Sequence, residues 1–175
     1  GKSTIAEALV SRLDSAVVLP MDGYHLPQAR LVELGRRDRM GAPDTFDVDG
    51  FLATLSALRA VDNSGNPVLA PGFDRGIEEP VPDAIRILQE LSTVVVEGNY
   101  LLLESGGWGR VAPLLDATVF VRVDRGVRLD RLIERHERFG KSPADARAWA
   151  LGPDERNAQL IEATATRADR VIELP

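Results

Sequence analysis

The chain opens on Gly1-Lys2-Ser3-Thr4 and runs directly into an apolar stripe at helical spacing: Ile5, Ala6, Leu9, Val10 and Leu13. No other stretch constrains the fold as much. The tetrapeptide is the back half of a phosphate-binding loop of pattern G-x-x-x-x-G-K-[ST]. In such a loop backbone N–H groups cradle the phosphates, the Lys reaches the β/γ-phosphates and the hydroxyl ligates Mg²⁺. A helix N-terminus suits an anion, because its dipole and its unpaired N–H groups point the same way. Four residues also recur by chance, and a plain helix start capped by Ser3 is the competing reading.

Segments of helical and strand-like pattern alternate along the rest of the chain, which predicts α/β architecture with a mostly parallel sheet. Strands are expected near 16–20, 93–97, 117–123 and 170–174. Ala16–Pro20 ends at Met21-Asp22-Gly23-Tyr24-His25, and ligand groups in open α/β sheets gather past the carboxyl ends of strands. Asp22 stands at such a place, although Asp-Gly is also a common turn pair. Thr93–Val96 is β-branched and ends on Glu97-Gly98. A carboxylate at the end of a buried strand needs a partner, water or a metal. An acid there orients Mg²⁺ in phosphate-loop proteins; a solvent-facing acid is the alternative.

Between these strands a helix is expected from about residue 26, then a charged loop at 35–41. Asp47 is expected to cap a helix that buries Val48, Phe51, Leu52, Leu55 and Leu58. Asn63-Ser64-Gly65-Asn66-Pro67 reads as a turn cluster. Val68–Pro71 is extended at most, and Pro71-Gly72-Phe73-Asp74-Arg75-Gly76 reads as an irregular loop. The residues alone favour a solvated turn for Asp74 and Arg75.

The segment 126–140 predicts a helix with an apolar sector (Leu129, Leu132, Ile133, His136), an acidic one (Asp130, Glu134, Glu137) and a basic one (Arg128, Arg131, Arg135, Arg138). Local ion pairs on a surface helix and an arginine stripe for polyphosphate are both open. Ser142-Pro143 starts a further helix that should end near Gly152-Pro153, and a last helix is expected over about 154–166.

Composition narrows the classes. Net charge −6 argues against general nucleic-acid affinity, and the only lysines are Lys2 and Lys141. Without cysteine there are no disulfides, thiolate metal sites or Cys nucleophiles, which fits a reducing compartment. No apolar run approaches the roughly 20 residues of a membrane span. Neither histidine has a zinc-ligand partner at the right spacing, and G-x-S-x-G, H-R-D, D-F-G and the guanine-reading N-K-x-D are absent.

Taken together, the order G-K-S-T (1–4), M-D-G-Y-H (21–25), G-A-P-D-T-F-D (41–47), P-G-F-D-R (71–75), V-V-V-E-G-N-Y (94–100), R-L-I-E-R-H (131–136), D-E-R-N-A (154–158) and A-D-R-V-I (168–172) resembles the P-loop kinases. The resemblance is to the uridine kinase, phosphoribulokinase and bacterial pantothenate kinase group. Within it the nearest branch is the bacterial one labelled nucleoside/nucleotide kinase or fructose transport system kinase.

The resemblance implies a P-loop NTPase three-layer sandwich with a sheet of order 2-3-1-4-5, its first strand lying upstream of Gly1. It implies a single domain over 1–175 with an arginine-rich lid at about 125–150. ATP would bind at Gly1, Lys2, Ser3 and Thr4, and Mg²⁺ at Ser3 and Glu97, through water or directly. Asp22 would be the catalytic base, with Lys2, Arg131 and Arg135 on the transferring phosphoryl. Tyr24, His25, Asp44, Phe46 and Arg75 would line the acceptor pocket.

The implied activity is transfer of the ATP γ-phosphoryl to a hydroxyl of a small sugar, nucleoside or pantothenate-like molecule, in the cytoplasm and without membrane or nucleic-acid partners. A non-catalytic nucleotide-binding regulatory or switch protein is the rival. Uridine kinases place a different tripeptide after their Asp than Gly-Tyr-His, so uridine or cytidine is a secondary acceptor. Oligomeric state is not legible; a homodimer is carried as an expectation.

Overall fold

All four expected strands form in a computed structural model of the chain, which describes residues 1–60, 65–88 and 90–174. Two compact units divide it, 1–116 and 117–175.

The first unit begins with α1 (Lys2–Val10) and β1 (Ala16–Pro20), followed by a 3-10 turn at Met21–Tyr24. Of the predicted stripe on α1, Ala6 is buried, while Leu9 and Leu13 are exposed and Leu13 lies past the helix end. Next come α2 (Gln28–Glu33), α3 (Val48–Arg59), β2 (Val68–Asp74), β3 (Glu79–Ile87) and β4 (Thr93–Glu97). Asp47 caps α3 as expected, accepting from the Gly50 N–H at 2.9 Å. Phe51, Leu52 and Leu55 face the core, with Val48 and Leu58 half-buried. The β1 and β4 strands pair in parallel, from Ala16 opposite Thr93 to Pro20 opposite Glu97, so their carboxyl ends are level.

The irregular loop predicted after residue 71 is instead part of a hairpin. β2 runs through Pro71 to Asp74 and pairs antiparallel with β3, with a register shift between Ala70 and Gly72. Pro71, Pro80 and Pro82 hide the strand pattern, because proline donates no ladder bond; the shift lets the pair step around Pro71. Of the predicted turn cluster, Asn63 and Ser64 lie outside the described residues.

In the second unit β5 (Val119–Val123) leads into α4 (Arg125–Arg138), α5 (Pro143–Trp149), α6 (Glu155–Glu162) and β6 (Arg170–Leu174). The β5 and β6 strands pair in parallel, Val119 opposite Arg170 through Val123 opposite Leu174. The two parallel pairings, β1–β4 and β5–β6, are neighbour pairs of the expected order; they do not by themselves fix that order. Ser142 caps α5 with Pro143 in its first turn, as expected.

Gly152-Pro153 does not end that run. A wide π-helical turn over Ala150–Asp154 carries α5 into α6, enclosing Pro153. Proline lacks the N–H of a regular turn, and a wider turn accommodates the gap. The final helix is shorter than predicted, ending at Glu162, with a 3-10 turn at Ala165–Arg167 behind it. Among the described residues no helix is long and apolar enough to cross a membrane.

Candidate active site

The site of the first unit is built where β1 and β4 end side by side. Glu97 closes β4, and Asp22 follows two residues after its partner Pro20. Ser3 donates its hydroxyl to Glu97 Oε1 at 3.0 Å, joining the helix start to the strand end across 94 residues. The reading of Ser3 as a helix cap is thereby corrected: Gly1 holds the cap position and Ser3 lies inside α1. The same bond gives the half-buried Glu97 a partner, as its position requires. Lys2 opens the helix half-buried and Thr4 is exposed. At Gly98 a Cβ would stand 2.3 Å from Met21 Cγ and Sδ, so the Met21 side chain packs directly against the backbone that follows Glu97.

Asp22 sits in the 3-10 turn after β1. The Gly23 beside it is more than a turn former, since a Cβ on it would fall 2.1 Å from the Pro71 carbonyl oxygen. The turn therefore lies flat against β2, and the far end of that strand returns to it. Arg75 Nη2 donates to Asp22 Oδ2 at 2.7 Å. This overturns the solvated-turn reading for Arg75. For Asp74 that reading holds: it is exposed, and its Oδ1 accepts from the Gly76 N–H at 2.7 Å and the Ile77 N–H at 3.4 Å.

His25 leans on the same turn. Its Nδ1 stands 2.8 Å from the Asp22 carbonyl oxygen. A carbonyl only accepts, so Nδ1 carries the proton and Nε2 of the neutral ring is the acceptor. The ring packs on Phe46, 4.0 Å between centroids, and on Phe73 at 4.7 Å. Burial pushes its pKa down, against opposing pulls from the Asp22 carbonyl and carboxylate.

Segment 41–47 is fastened to this turn from both sides. The Leu26 N–H donates to the Thr45 carbonyl at 2.9 Å and the Asp47 N–H to the Tyr24 carbonyl at 2.7 Å. Fully buried Trp108 donates Nε1–H to the Pro43 carbonyl at 3.0 Å, and the Tyr100 hydroxyl donates to the Gly41 carbonyl. Reasoning from sequence missed both roles. The available signal was a tryptophan in Gly-Gly-Trp-Gly, since a buried indole N–H wants an acceptor.

Two predicted pocket residues spend their side chains on the scaffold. Tyr24 is buried and donates to Thr54 Oγ1 at 2.7 Å; burial pushes its phenol up. Asp44 is exposed and pairs with Arg39 at 2.7 Å and Arg36 at 3.4 Å. Of the predicted pocket residues, His25 and Arg75 therefore bond to Asp22 directly, and Phe46 packs on the His25 ring.

In the second unit the arginines divide. Arg125 and Arg128 grip Glu155 at 2.8 and 2.6 Å, and these two guanidiniums hold its carboxyl below the usual range. Arg122 pairs with Glu162 and Glu173. His136 Nε2 meets Asp154 Oδ2 at 2.7 Å. Arg131 and Arg135 are exposed, with no ion pair or side-chain hydrogen bond among the described residues. No ion pair forms within α4 among the described residues, so the locally salt-bridged helix is not what the stripe builds.

No family model matches the chain. It is 40% identical over 148 residues to an ATP-dependent kinase-like protein, notR′, of Aspergillus versicolor, covering 81% of this chain and 86% of the relative. It is 34% identical over 149 residues to the "putative uridine kinase" C227.14 of Schizosaccharomyces pombe, covering 78% of this chain and 61% of that protein. Among solved structures, a "putative fructose transport system kinase" from Silicibacter sp. TM1040 superposes with a TM-score of 0.87 at 34% identity, covering 98% of this chain and 84% of the other.

Proposed function

The chain belongs to the ATP-dependent P-loop kinases of the uridine kinase-like family, and within that family we propose that it transfers the γ-phosphoryl of ATP to a hydroxyl of a small molecule. The observation that carries this reading is the Ser3–Glu97 bond at 3.0 Å, with Asp22 at the end of the adjoining strand. It brings a phosphate-loop hydroxyl and a strand-end acid together beside a second carboxylate.

The same pair fits Mg²⁺. Neighbouring oxygens around an octahedral Mg²⁺, each at about 2.1 Å, stand about 3 Å apart, which matches the Ser3–Glu97 separation. Among the described residues no cluster of three or more His, Cys, Asp or Glu would hold a metal alone. Phosphate and water would complete the shell of an ion held by this pair, as Mg²⁺ prefers. Ser3 and Glu97 would hold it, and it would supply charge neutralisation at the phosphates.

Gly1, Lys2, Ser3 and Thr4 take the nucleotide phosphates, with Lys2 as the cation toward the β/γ oxygens. Asp22 accepts the proton of the acceptor hydroxyl as that oxygen bonds to the γ-phosphorus and the bond to the ADP oxygen breaks. Arg131 and Arg135, whose side chains have no ion-pair partner of their own among the described residues, are the lid cations for the transferring group. His25, Phe46 and Arg75 contact the acceptor, while Tyr24 and Asp44 hold the walls.

The test is ADP release with ATP and Mg²⁺ over a panel of sugars, nucleosides and pantothenate. Release should depend on the acceptor, and Asp22→Asn should lower it by about 10²- to 10⁴-fold with ATP binding retained. ADP release that needs no acceptor and ignores Asp22→Asn would refute the transfer reading. Nucleotide binding without turnover would favour a regulatory protein.

A further inference from the structure

Asp22, the base of the proposed transfer, is already engaged by a cation. Arg75 Nη2 lies 2.7 Å from its Oδ2, and both side chains are partly open to solvent, Arg75 at 46% and Asp22 at 28%. The other carboxylates of the hairpin tip are committed elsewhere. Asp74 caps its own turn, Glu78 pairs with Arg37 at 2.7 Å, and Glu79 accepts from the Gln28 N–H at 3.3 Å. Among the described residues Asp22 is thus the sole ion-pair partner of Arg75, and a single nitrogen of that guanidinium is used. Four of its five N–H donors remain.

This pairing is partly open to solvent on both sides, so it is weak and a better-matched anion displaces it. The guanidinium that Asp22 gives up keeps its charge beside the proposed base. The other arginines of this region already serve carboxylates, Arg36 and Arg39 on Asp44 and Arg37 on Glu78. A carboxylate or phosphate on the acceptor is such an anion. It would meet the planar fork of Arg75 through two parallel hydrogen bonds, which a single Asp22 oxygen does not supply.

We infer that the acceptor is an anionic alcohol, whose carboxylate or phosphate displaces Asp22 from Arg75 and leaves the freed carboxylate facing the acceptor hydroxyl. This rests on the kinase reading above and names the charge class of its substrate. Arg75 is then the residue that selects charge, and the Phe46–His25–Phe73 stack beside it carries the uncharged part of the acceptor.

The experiment pairs acceptors that differ only in charge: pantothenate against panthenol, and ribose 5-phosphate against ribose, with uridine as a further neutral probe. Acceptor-dependent ADP release is measured for the parent chain, Arg75→Gln and Arg75→Lys, with binding of a fluorescent ATP analogue reporting an intact fold. The anionic member of at least one pair should exceed its neutral partner in kcat/KM by about 10- to 100-fold, the span of a lost charged hydrogen bond. Arg75→Gln should erase that preference chiefly through KM, and Arg75→Lys should restore part of it. The pair that responds tells carboxylate from phosphate. Neutral acceptors turned over as well as their anionic partners, or a loss in Arg75→Gln equal for both, would overturn the charge assignment while leaving the kinase reading intact. ADP release that no acceptor stimulates would overturn both.

Discussion

Replacing Gly23 by alanine would drive a methyl group into the backbone of β2. The added Cβ would lie 2.1 Å from the Pro71 carbonyl oxygen, 2.7 Å from its carbonyl carbon and 3.2 Å from the Gly72 nitrogen. Reaching an ordinary contact means separating the turn from β2 by roughly 1 Å, a shift that neither backbone makes without straining its own bonds. Overpacking of this kind costs about 1–3 kcal/mol, and a urea slope of about 2 kcal/mol per molar converts that to a midpoint lowered by about 0.5–1.5 M. The same shift carries Arg75 away from Asp22, and a displacement of about 1 Å at a reacting centre is worth up to about 10²-fold in turnover.

Gly98→Ala is the matched control. Its Cβ would meet Met21 Cγ and Sδ at 2.3 Å, side-chain atoms rather than backbone. Methionine has three rotatable bonds and refills irregular space. Gly98→Ala should therefore cost less than Gly23→Ala both in urea midpoint and in ADP release. Equal midpoints for Gly23→Ala and the parent, or a larger loss in Gly98→Ala, would refute the close-approach argument.

Two further outcomes follow from buried groups. The His25 pKa is lowered by burial, so on acidification the unfolded chain takes up a proton that the folded ring refuses. Stability should fall as pH drops below about 6.5, by up to about 1.4 kcal/mol per unit, until the lowered folded value is reached. His25→Phe should flatten that part of the pH profile in urea titrations, and an unchanged profile would contradict it. Trp108→Ala removes a fully buried side chain and should cost about 3–5 kcal/mol. Trp108→Phe should cost less, about 1–3 kcal/mol for the orphaned Pro43 carbonyl; denaturation midpoints that fail to rank the two in this order would contradict the packing assigned to the indole.

The strands were legible where the local pattern is an uninterrupted apolar or β-branched run. β1, β4 and β6 run over the residues that apolar and β-branched runs select, and β5 starts two residues later than 117. The hairpin was not legible, because its prolines erase the local strand signal while pairing over a register shift rescues it. At the site, Ser3, Glu97 and Asp22 could each be named from their neighbours in the chain. Their bonds could not: Arg75 reaches Asp22 across 53 residues, a distance at which local pattern carries no information. Trp108 and Tyr100 escaped for the same reason, since nothing near them in sequence says that their polar tips hold the carbonyls of segment 41–47.

The prolines that concealed the hairpin have a consequence for the protein's behaviour in company. An isolated two-stranded ribbon offers rows of unpaired backbone groups to any other chain, which is how edge-to-edge aggregation starts. With Pro71 in β2 and Pro80 and Pro82 in β3, the donor rows are interrupted on both strands, and a third strand finds no continuous ladder to join. The strand pair that leads to Arg75 is thus extended without offering an unbroken row of donors for edge-to-edge pairing.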